Sequence, residues 1–409
     1  MTQSTGPRGR YLDIHVLQTL PYANLNRDDT NSIKTVDYGG TSRTRISSQC
    51  WKRAARLRLE NALGQKALRT RRLPERLQTY LVEAGWPQDL AHLAGIQIAR
   101  SSSVGLKAQP GSKAADSATP TAERELTAAM IYLPETAIAE LAQVADQHRA
   151  LLEAFDPATA PKTATKKSKT KDKNSGGILP TSQIDAILRS RNGVINLFGR
   201  MLAEVDDAAV DAAAQVAHAF TTHTTDSDTD YLTAVDDVTA LWNDEAGSAH
   251  LDTAEHSAGV FYRYATLDLH GLHHNLAGDL AALAELTTAF LSAFLLSIPP
   301  AKNTSTAPHT VPNLAHLVVR SDRPVSYADA FEQPIHAARA GGYAHPSRQA
   351  LTSHAHAVAD LLGTEGILHS AYASLEKNLP HLGTATTSFK NLIDVAVTTA
   401  CAPTQDQGQ

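Results

Sequence analysis

The chain has 409 residues, 42% hydrophobic and 19% charged, with a formal net charge of −5. That length can bury two or three cores, and the balance excludes a disordered polyelectrolyte. Net acidity excludes a protein coated in nucleic acid all over, so any nucleic-acid site must be a local concentration of Lys and Arg.

Two cysteines, Cys50 and Cys401, leave no room for a disulfide framework or a CxxC zinc site, and fit a reducing cytosol. Residues 1–10 are polar and lack the apolar run of a signal peptide. The most apolar window, residues 289–298, is shorter than the roughly 20 residues a bilayer needs. It reads as the end of a buried helix. No membrane association and a cytoplasmic location are expected.

Residues 11–18 (YLDIHVLQ) set Leu12, Ile14 and Val16 against Asp13, His15 and Leu17, the alternation of a strand. An Asn- and Asp-rich loop follows, ending in Gly39 and Gly40. Residues 41–46 read as extended. A helix is predicted over 47–63, with Ser47 or Ser48 as N-cap. Residues 60–155 read as mostly helical, with 98–105 a short strand or loop and 108–122 a flexible insertion. Residues 156–177 (DPATAPKTATKKSKTKDKNSGG) are lysine-rich, of low complexity, and expected to be disordered. Residues 178–201 are expected to contain a strand leading to Gly199, Arg200 and Met201. Residues 226–249 are punctuated like a projecting element. Residues 260–269 (VFYRYATLDL) predict a strong strand, 278–298 a helix and 314–321 a strand, with short helices and loops beyond. This order suggests an α+β protein: a split β-α-β core carrying insertions.

The densest basic cluster runs from Arg43 to Arg56 (RTRISSQCWKRAAR), with no acidic residue until Glu60. On a helix Gln49, Lys52, Arg53 and Arg56 share one face, while Trp51, Ala54, Ala55 and Ala62 fall on the other. Ser47 and Ser48 sit at the helix start, where free N–H groups and the positive dipole end favour a phosphate. Donors in a row plus positive charge are what phosphodiester recognition needs. A merely solvated charged face is the alternative reading.

The same residues carry a resemblance. IHVLQTLPYANLNRDD, the Gly pair and RTRISSQCWKRAAR resemble the N-terminal signature of the CasC family, the backbone subunit of type I-E Cascade. LFGRM (197–201) resembles its short GRM segment. VAHAFTTHTTDSDTDYLTAVDD (216–237) and GSAHLDTAEHSAGVFYRYATLDL (247–269) resemble its most distinctive stretch. PAKN (300–303) and YADAFEQPI (327–335) are weaker echoes. The resemblance runs from near residue 12 to about 335.

It implies an RRM-like (ferredoxin-like) palm with an inserted helical finger domain and a β-hairpin thumb. The palm would take residues 11–59, 191–222 and 259–400, the fingers 60–190, and the thumb 223–258. Copies would stack along one CRISPR guide RNA (crRNA), beside other Cascade subunits, and present it for pairing with target DNA. Each thumb would displace one base pair from the duplex. No catalysis and no cofactor are implied. Asn26, Arg27 and Asp28 would lie near the RNA. Arg43, Arg45, Ser47, Ser48, Gln49, Lys52, Arg53 and Arg56 would hold its backbone. Gly199, Arg200 and Met201 would lie under it, Met201 as a wedge. His223, Thr224, Thr225, Asp226, Ser227 and Asp228 would lie in the thumb, and Lys302 is a further candidate. The finger lysines, Lys162 to Lys173, could touch target DNA by charge. The insertions at 108–122 and 156–177 depart from the family pattern.

Four other readings stand beside it. DSDTD at 226–230 lacks the Gly and Glu that a calcium loop requires. His270, His273 and His274 share a helix face, with no carboxylate or cysteine at ligand spacing except Asp268. A metal-dependent RNase could use Asp28 or Asp29 with His15, although a metal needs more converging oxygens than two adjacent ones. A monomeric single-strand RNA-binding module would show no cooperativity along RNA.

Overall fold

The computed structural model describes residues 6–109, 124–156, 177–235 and 248–404. It divides into two compact units, one made of Met1–Ala62 with Ala213–Gln409 and the other of Leu63–Ala212.

The first unit opens with β1 (Tyr11–Ala23), β2 (Thr35–Tyr38), β3 (Thr41–Ile46) and α1 (Ser48–Leu63). The second unit follows with β4 (Ala67–Thr70), α2 (Leu73–Glu83), α3 (Gln88–Ser101), β5 (Leu106–Gln109), β6 (Arg124–Thr127) and β7 (Ile131–Pro134). It continues with α4 (Ala137–Gln147), α5 (Arg149–Glu153), α6 (Thr181–Leu188) and α7 (Gly193–Phe198). The first unit resumes with β8 (Ala214–Val216), β9 (Ala219–Thr221), β10 (Asp228–Val235), β11 (Ser248–Asp268), α8 (Leu269–Asn275) and α9 (Leu280–Leu296). It ends with α10 (Asn303–Thr306), β12 (Leu314–Arg320), a 3-10 turn (Ala328–Phe331), α11 (Ala344–Leu362), β13 (Ile367–Ser374), β14 (Thr384–Ala385) and α12 (Phe389–Ala400).

The main sheet of the first unit has the order β14-β13-β12-β1-β11-β9-β3-β2, with β8 and β10 also paired to β11. Its centre, β12-β1-β11-β9, is antiparallel throughout. In sequence these strands run β1-α1-β9-β11-α9-β12, the split β-α-β connectivity expected above.

Strand β1 is buried without a break from Leu12 to Gln18, because both faces of the sheet are covered. On one face Leu20, Ile46, Trp51, Ala219 and Phe261 form a core. On the other, Leu17, Tyr262, Tyr327, Phe331 and Leu351 pack together. The polar residues of β1 therefore need internal partners. Asp13 pairs with Arg320 at 2.9 Å and accepts hydrogen bonds from the Tyr264 hydroxyl and the Val325 N–H. The His15 ring stacks on Tyr327 at 4.0 Å, with Nδ1 2.9 Å from the Tyr262 hydroxyl.

The second unit packs α2, α3, α4 and α6 around Leu77, Ile98, Leu141 and Ile184. Four short strands lie in the stretch that reads as helical, pairing as β4 with β7 and β5 with β6. Of residues 98–105, expected as a short strand or loop, 98–101 complete α3 and 102–105 form a loop. The strand expected within 178–201 is replaced by α6 and α7. Ile184 and Leu188 are buried one turn apart on α6, and the Asn192 side chain caps α7 by accepting the Ile195 N–H at 3.1 Å. Residues 191–212, expected in the palm, belong to this second unit.

Residues 228–235 and 248–256, overlapping the element expected over 226–249, pair as an antiparallel hairpin. Residues 236–247 lie outside the described residues, as do nearly all of 108–122 and 156–177. Beyond β12, where short helices and loops are expected, α11 runs for 19 residues.

Candidate nucleic-acid interface

The candidate site forms where β3 runs into α1. Strand β3 pairs with β9 through Arg45↔Phe220 and Ile46↔Ala219, which brings His218, just before β9, to the start of α1. The Ser47 N–H donates to Asn26 Oδ1 at 2.8 Å, tying the loop after β1 to the helix start. The Ser47 carbonyl accepts the Cys50 and Trp51 N–H groups, so Ser47 occupies the N-cap position. Its hydroxyl, however, is buried with no partner among the described residues, and the expected side-chain cap is not made. Instead the Ser48 N–H donates to His218 Nδ1 at 3.2 Å. Arg45 Nη1 donates to the same nitrogen at 3.0 Å.

Helix α1 buries Trp51, Ala54, Ala55 and Leu59 and leaves Gln49 and Arg53 exposed, with Lys52 half-buried. The two-faced helix expected from spacing is present, although Ala62 is exposed rather than packed. Burial lowers the pKa of Lys52. Arg56 is bound to Glu60 at 2.6 Å, so its charge is largely neutralised. The Arg45 N–H donates to the Lys34 carbonyl at 2.7 Å, which adds Lys34 to the cluster. Burial raises the pKa of the Cys50 thiol, and the charges of Lys34 and Arg53 act against that rise. The first turn of α1 is therefore a positive end with Lys34, Arg45, Lys52 and Arg53 around it, suited to a row of phosphates.

Arg27 and Asp28 are exposed on the adjoining loop. Arg27 reaches Asn31 Oδ1 at 2.8 Å. Asp28 Oδ1 accepts from the Thr30 hydroxyl and from the Thr30 and Ser32 N–H groups at 2.8–2.9 Å. The bond from the Thr30 hydroxyl is the main cause of its lowered pKa. Asp28 orders its own turn, and His15 is wholly buried in the sheet. Among the described residues no three His, Cys, Asp or Glu side chains converge as a metal site.

Several expected contacts are corrected by burial. Arg43 is fully buried. Its guanidinium donates to the Thr41 hydroxyl at 2.9 Å and to the carbonyls of Thr221, Phe331 and Glu332 at 3.0–3.3 Å. It ties elements together and has no face left for a phosphate. Thr225 is buried and locked to Thr44, accepting its N–H at 2.7 Å. His223 is buried against Tyr343, ring centroids 3.7 Å apart. Its Nε2 accepts the Val260 N–H and its Nδ1 donates to the Thr224 carbonyl. These two residues anchor the base of the hairpin instead of facing outward. Thr224, Asp226, Ser227 and Asp228 are exposed. Lys302 is half-exposed, and its charge helps to depress the pKa of His256, after burial.

In the second unit, Arg200 is buried and donates to the carbonyls of Ala208, Tyr132, Ser190 and Arg189 at 2.7–3.3 Å. Burial, with Arg191 nearby, pushes its pKa down to about 10. It is a structural arginine, contrary to the expected phosphate contact. Gly199 has φ +76°, and a Cβ there would lie 2.8 Å from Val210 O and Ala212 N. The close approach that needs glycine is thus to the chain itself. Met201 is 91% exposed.

Sequence reasoning missed Lys34 and His218. Lys34 is a lone loop cation, without a pattern to mark it. His218 stood inside the distinctive AHAFTTH stretch, but only strand register reveals that it faces the helix start.

A family model described as CT1975-like protein matches residues 12–396. A solved structure described as "CRISPR RNA-guided surveillance complex, pre-nicking" contains a chain 41% identical, with a TM-score of 0.83 over 95% of this chain and 100% of that one. A second, described as "CRISPR RNA-guided surveillance complex", contains a chain 37% identical, with a TM-score of 0.73 over the same shares. No curated protein matches the chain.

Proposed function

The chain belongs to the CT1975-like protein family, and from that premise we propose that it binds a CRISPR guide RNA and, in several copies, builds the backbone of a type I-E Cascade complex. The observation that carries the reading is the positive first turn of α1. There a helix N-terminus, Arg45 and the exposed Arg53 lie together with Lys34 and Lys52. Such a site grips phosphates and ignores base identity, which suits a guide whose sequence varies. The likeness to chains of RNA-guided surveillance complexes supports the same reading.

In this proposal Lys34, Arg45, Ser48, Gln49, Lys52 and Arg53 hold the RNA backbone, with Asn26, Arg27 and Asp28 shaping the loop beside them. Met201 presses on a base. The hairpin of β10 and β11 is the thumb, and it interrupts the duplex that the guide forms with target DNA. The RRM-like palm and the stacking of copies belong to the same reading, as do a cytoplasmic location and contacts with other Cascade subunits. The protein binds without cutting. The carboxylate that a nuclease would use, Asp28, is engaged by its own loop.

The test is mass and RNA content after co-expression with a repeat–spacer array and the neighbouring CRISPR genes. A large particle with several copies per RNA is expected. An RNA-free monomer in that setting would reject the proposal.

A further inference from the structure

Two donors converge on one atom at the helix start. Arg45 Nη1 is 3.0 Å and the Ser48 N–H nitrogen 3.2 Å from Nδ1 of His218. Arginine and the amide can only donate, so Nδ1 carries the lone pair and the ring proton sits on Nε2. An imidazole nitrogen thus occupies the point at which a guanidinium and a helix N-terminal amide both aim, the arrangement a phosphate oxygen would complete.

His218 is exposed and lies between β8 and β9, where it can swing aside without opening the core. A phosphate oxygen carries charge and the imidazole nitrogen does not, so both donors favour the phosphate. Once displaced, the ring stands beside an anion and no longer faces Arg45 alone.

We propose that His218 is a further RNA-contacting residue, which holds Arg45 and the Ser48 amide aimed at one point, yields that point to a phosphate oxygen, and takes up a proton as it does so. This rests on the RNA-binding reading above. The charged group that acts on the ring is Arg45 from β3. The first turn of α1 presents Ser48 and Gln49, both uncharged, and β11 meets this segment through its backbone, the Ala217 N–H donating to the Tyr264 carbonyl. In the free protein, burial and then Arg45 hold the pKa of His218 below its ordinary value. A bound phosphate acts in the opposite direction, so RNA binding and proton uptake are linked.

The test uses the full chain and a fluorescein-labelled oligouridylate, whose bases do not titrate in the range used. Affinity is measured by anisotropy at about pH 6 and about pH 8, with circular dichroism to verify folding at both. The wild type should bind roughly fivefold or more tightly at the lower pH, as expected for a histidine whose pKa rises on binding. His218→Gln keeps an acceptor oxygen for the two donors but has no proton to gain, and its affinity should change much less between the two conditions. Wild-type binding indifferent to pH, or an undiminished pH response in His218→Gln, would overturn the inference alone. Absence of binding at both pH values would remove the RNA reading and the inference with it.

Discussion

The guanidinium of Arg263 lies 3.8 Å from the centroid of the Trp51 ring, and this contact joins β11 to the buried side of α1. Phe294 contributes a second ring at 4.7 Å. Arg263 donates to Gln18 Oε1 at 2.6 Å and to the Phe294 carbonyl in the last turn of α9. Burial lowers its pKa to about 9, so it remains a cation at neutral pH. Rings and a helix C-terminal carbonyl take the place of a carboxylate partner. The cationic face of α1 is held outward by this anchor on the opposite side.

Trp51→Ala should therefore act on stability first. The loss should be roughly 3–5 kcal/mol, the usual cost of emptying a buried aromatic site. Urea denaturation measures it. A change under 1 kcal/mol would show that Trp51 does not anchor the helix.

Arg43 and Arg45 should separate cleanly despite standing two residues apart. Arg43→Ala leaves the carbonyls of Thr221, Phe331 and Glu332 without their donor and should destabilise by about 2–4 kcal/mol. Arg45→Ala should leave the melting temperature nearly unchanged and weaken RNA binding. Thermal melts and RNA titrations on both variants decide the matter, and equal melting temperatures would contradict the assignment.

Arg45→Ala, Lys52→Ala and Arg53→Ala should weaken binding alike for guides of any sequence. Each should lower the slope of log affinity against log salt by roughly 0.7, the value for one phosphate contact on a single strand. Salt titrations with two unrelated RNAs check both points. An unchanged slope would remove that residue from the contact set.

Stability should fall on mild acidification. His316 is buried and neutral, with burial pushing its pKa down to about 4, and His15 shifts the same way, mainly through burial. Below about pH 6.5 the unfolded chain takes a proton that the folded chain refuses. Stability is thus complete above that pH and is lost progressively down to about pH 4, by roughly 3 kcal/mol for His316. Denaturation midpoints across this range should show the fall, and His316→Gln should flatten it. Identical pH profiles for the two proteins would count against this account.

Met201 and Gly199 offer a second separation. Met201→Ala should change stability by less than about 0.5 kcal/mol, as for an exposed residue, while altering how the guide pairs with its target. Gly199→Ala should cost roughly 1–3 kcal/mol, since it forces a side chain into a left-handed conformation against Val210 and Ala212. Melts and target-binding assays on both variants would reveal any exchange of these roles.

Much of the first unit was legible in the chain itself. The alternation of residues 11–18, a cap at Ser47 or Ser48 and the apolar run before residue 298 are each local signals, and β1, α1 and α9 follow them. The stretch 178–201 misled because short apolar runs fit a strand and a short helix equally well. Asn192, as the cap of α7, was the overlooked signal. Within the site, the Arg56–Glu60 pairing was readable from its spacing on a helix. The burial of His223 and Arg200 was not, because their partners depend on how distant segments fold back.

What the amino-acid sequence determined by itself was where positive charge gathers and on which side of α1 it stands, because helical spacing is a local property. Which of those cations meets solvent was decided only by the tertiary structure. Arg43 and Arg45 lie on the same face of β3, and nothing near them in the chain tells them apart. The segment at Phe331 and Glu332, nearly three hundred residues downstream, supplies carbonyls to Arg43, whereas Arg45 turns to His218. A buried guanidinium must spend its donors on the protein and an uncovered one keeps a donor to offer, so that cover separates a structural arginine from one still open to a ligand.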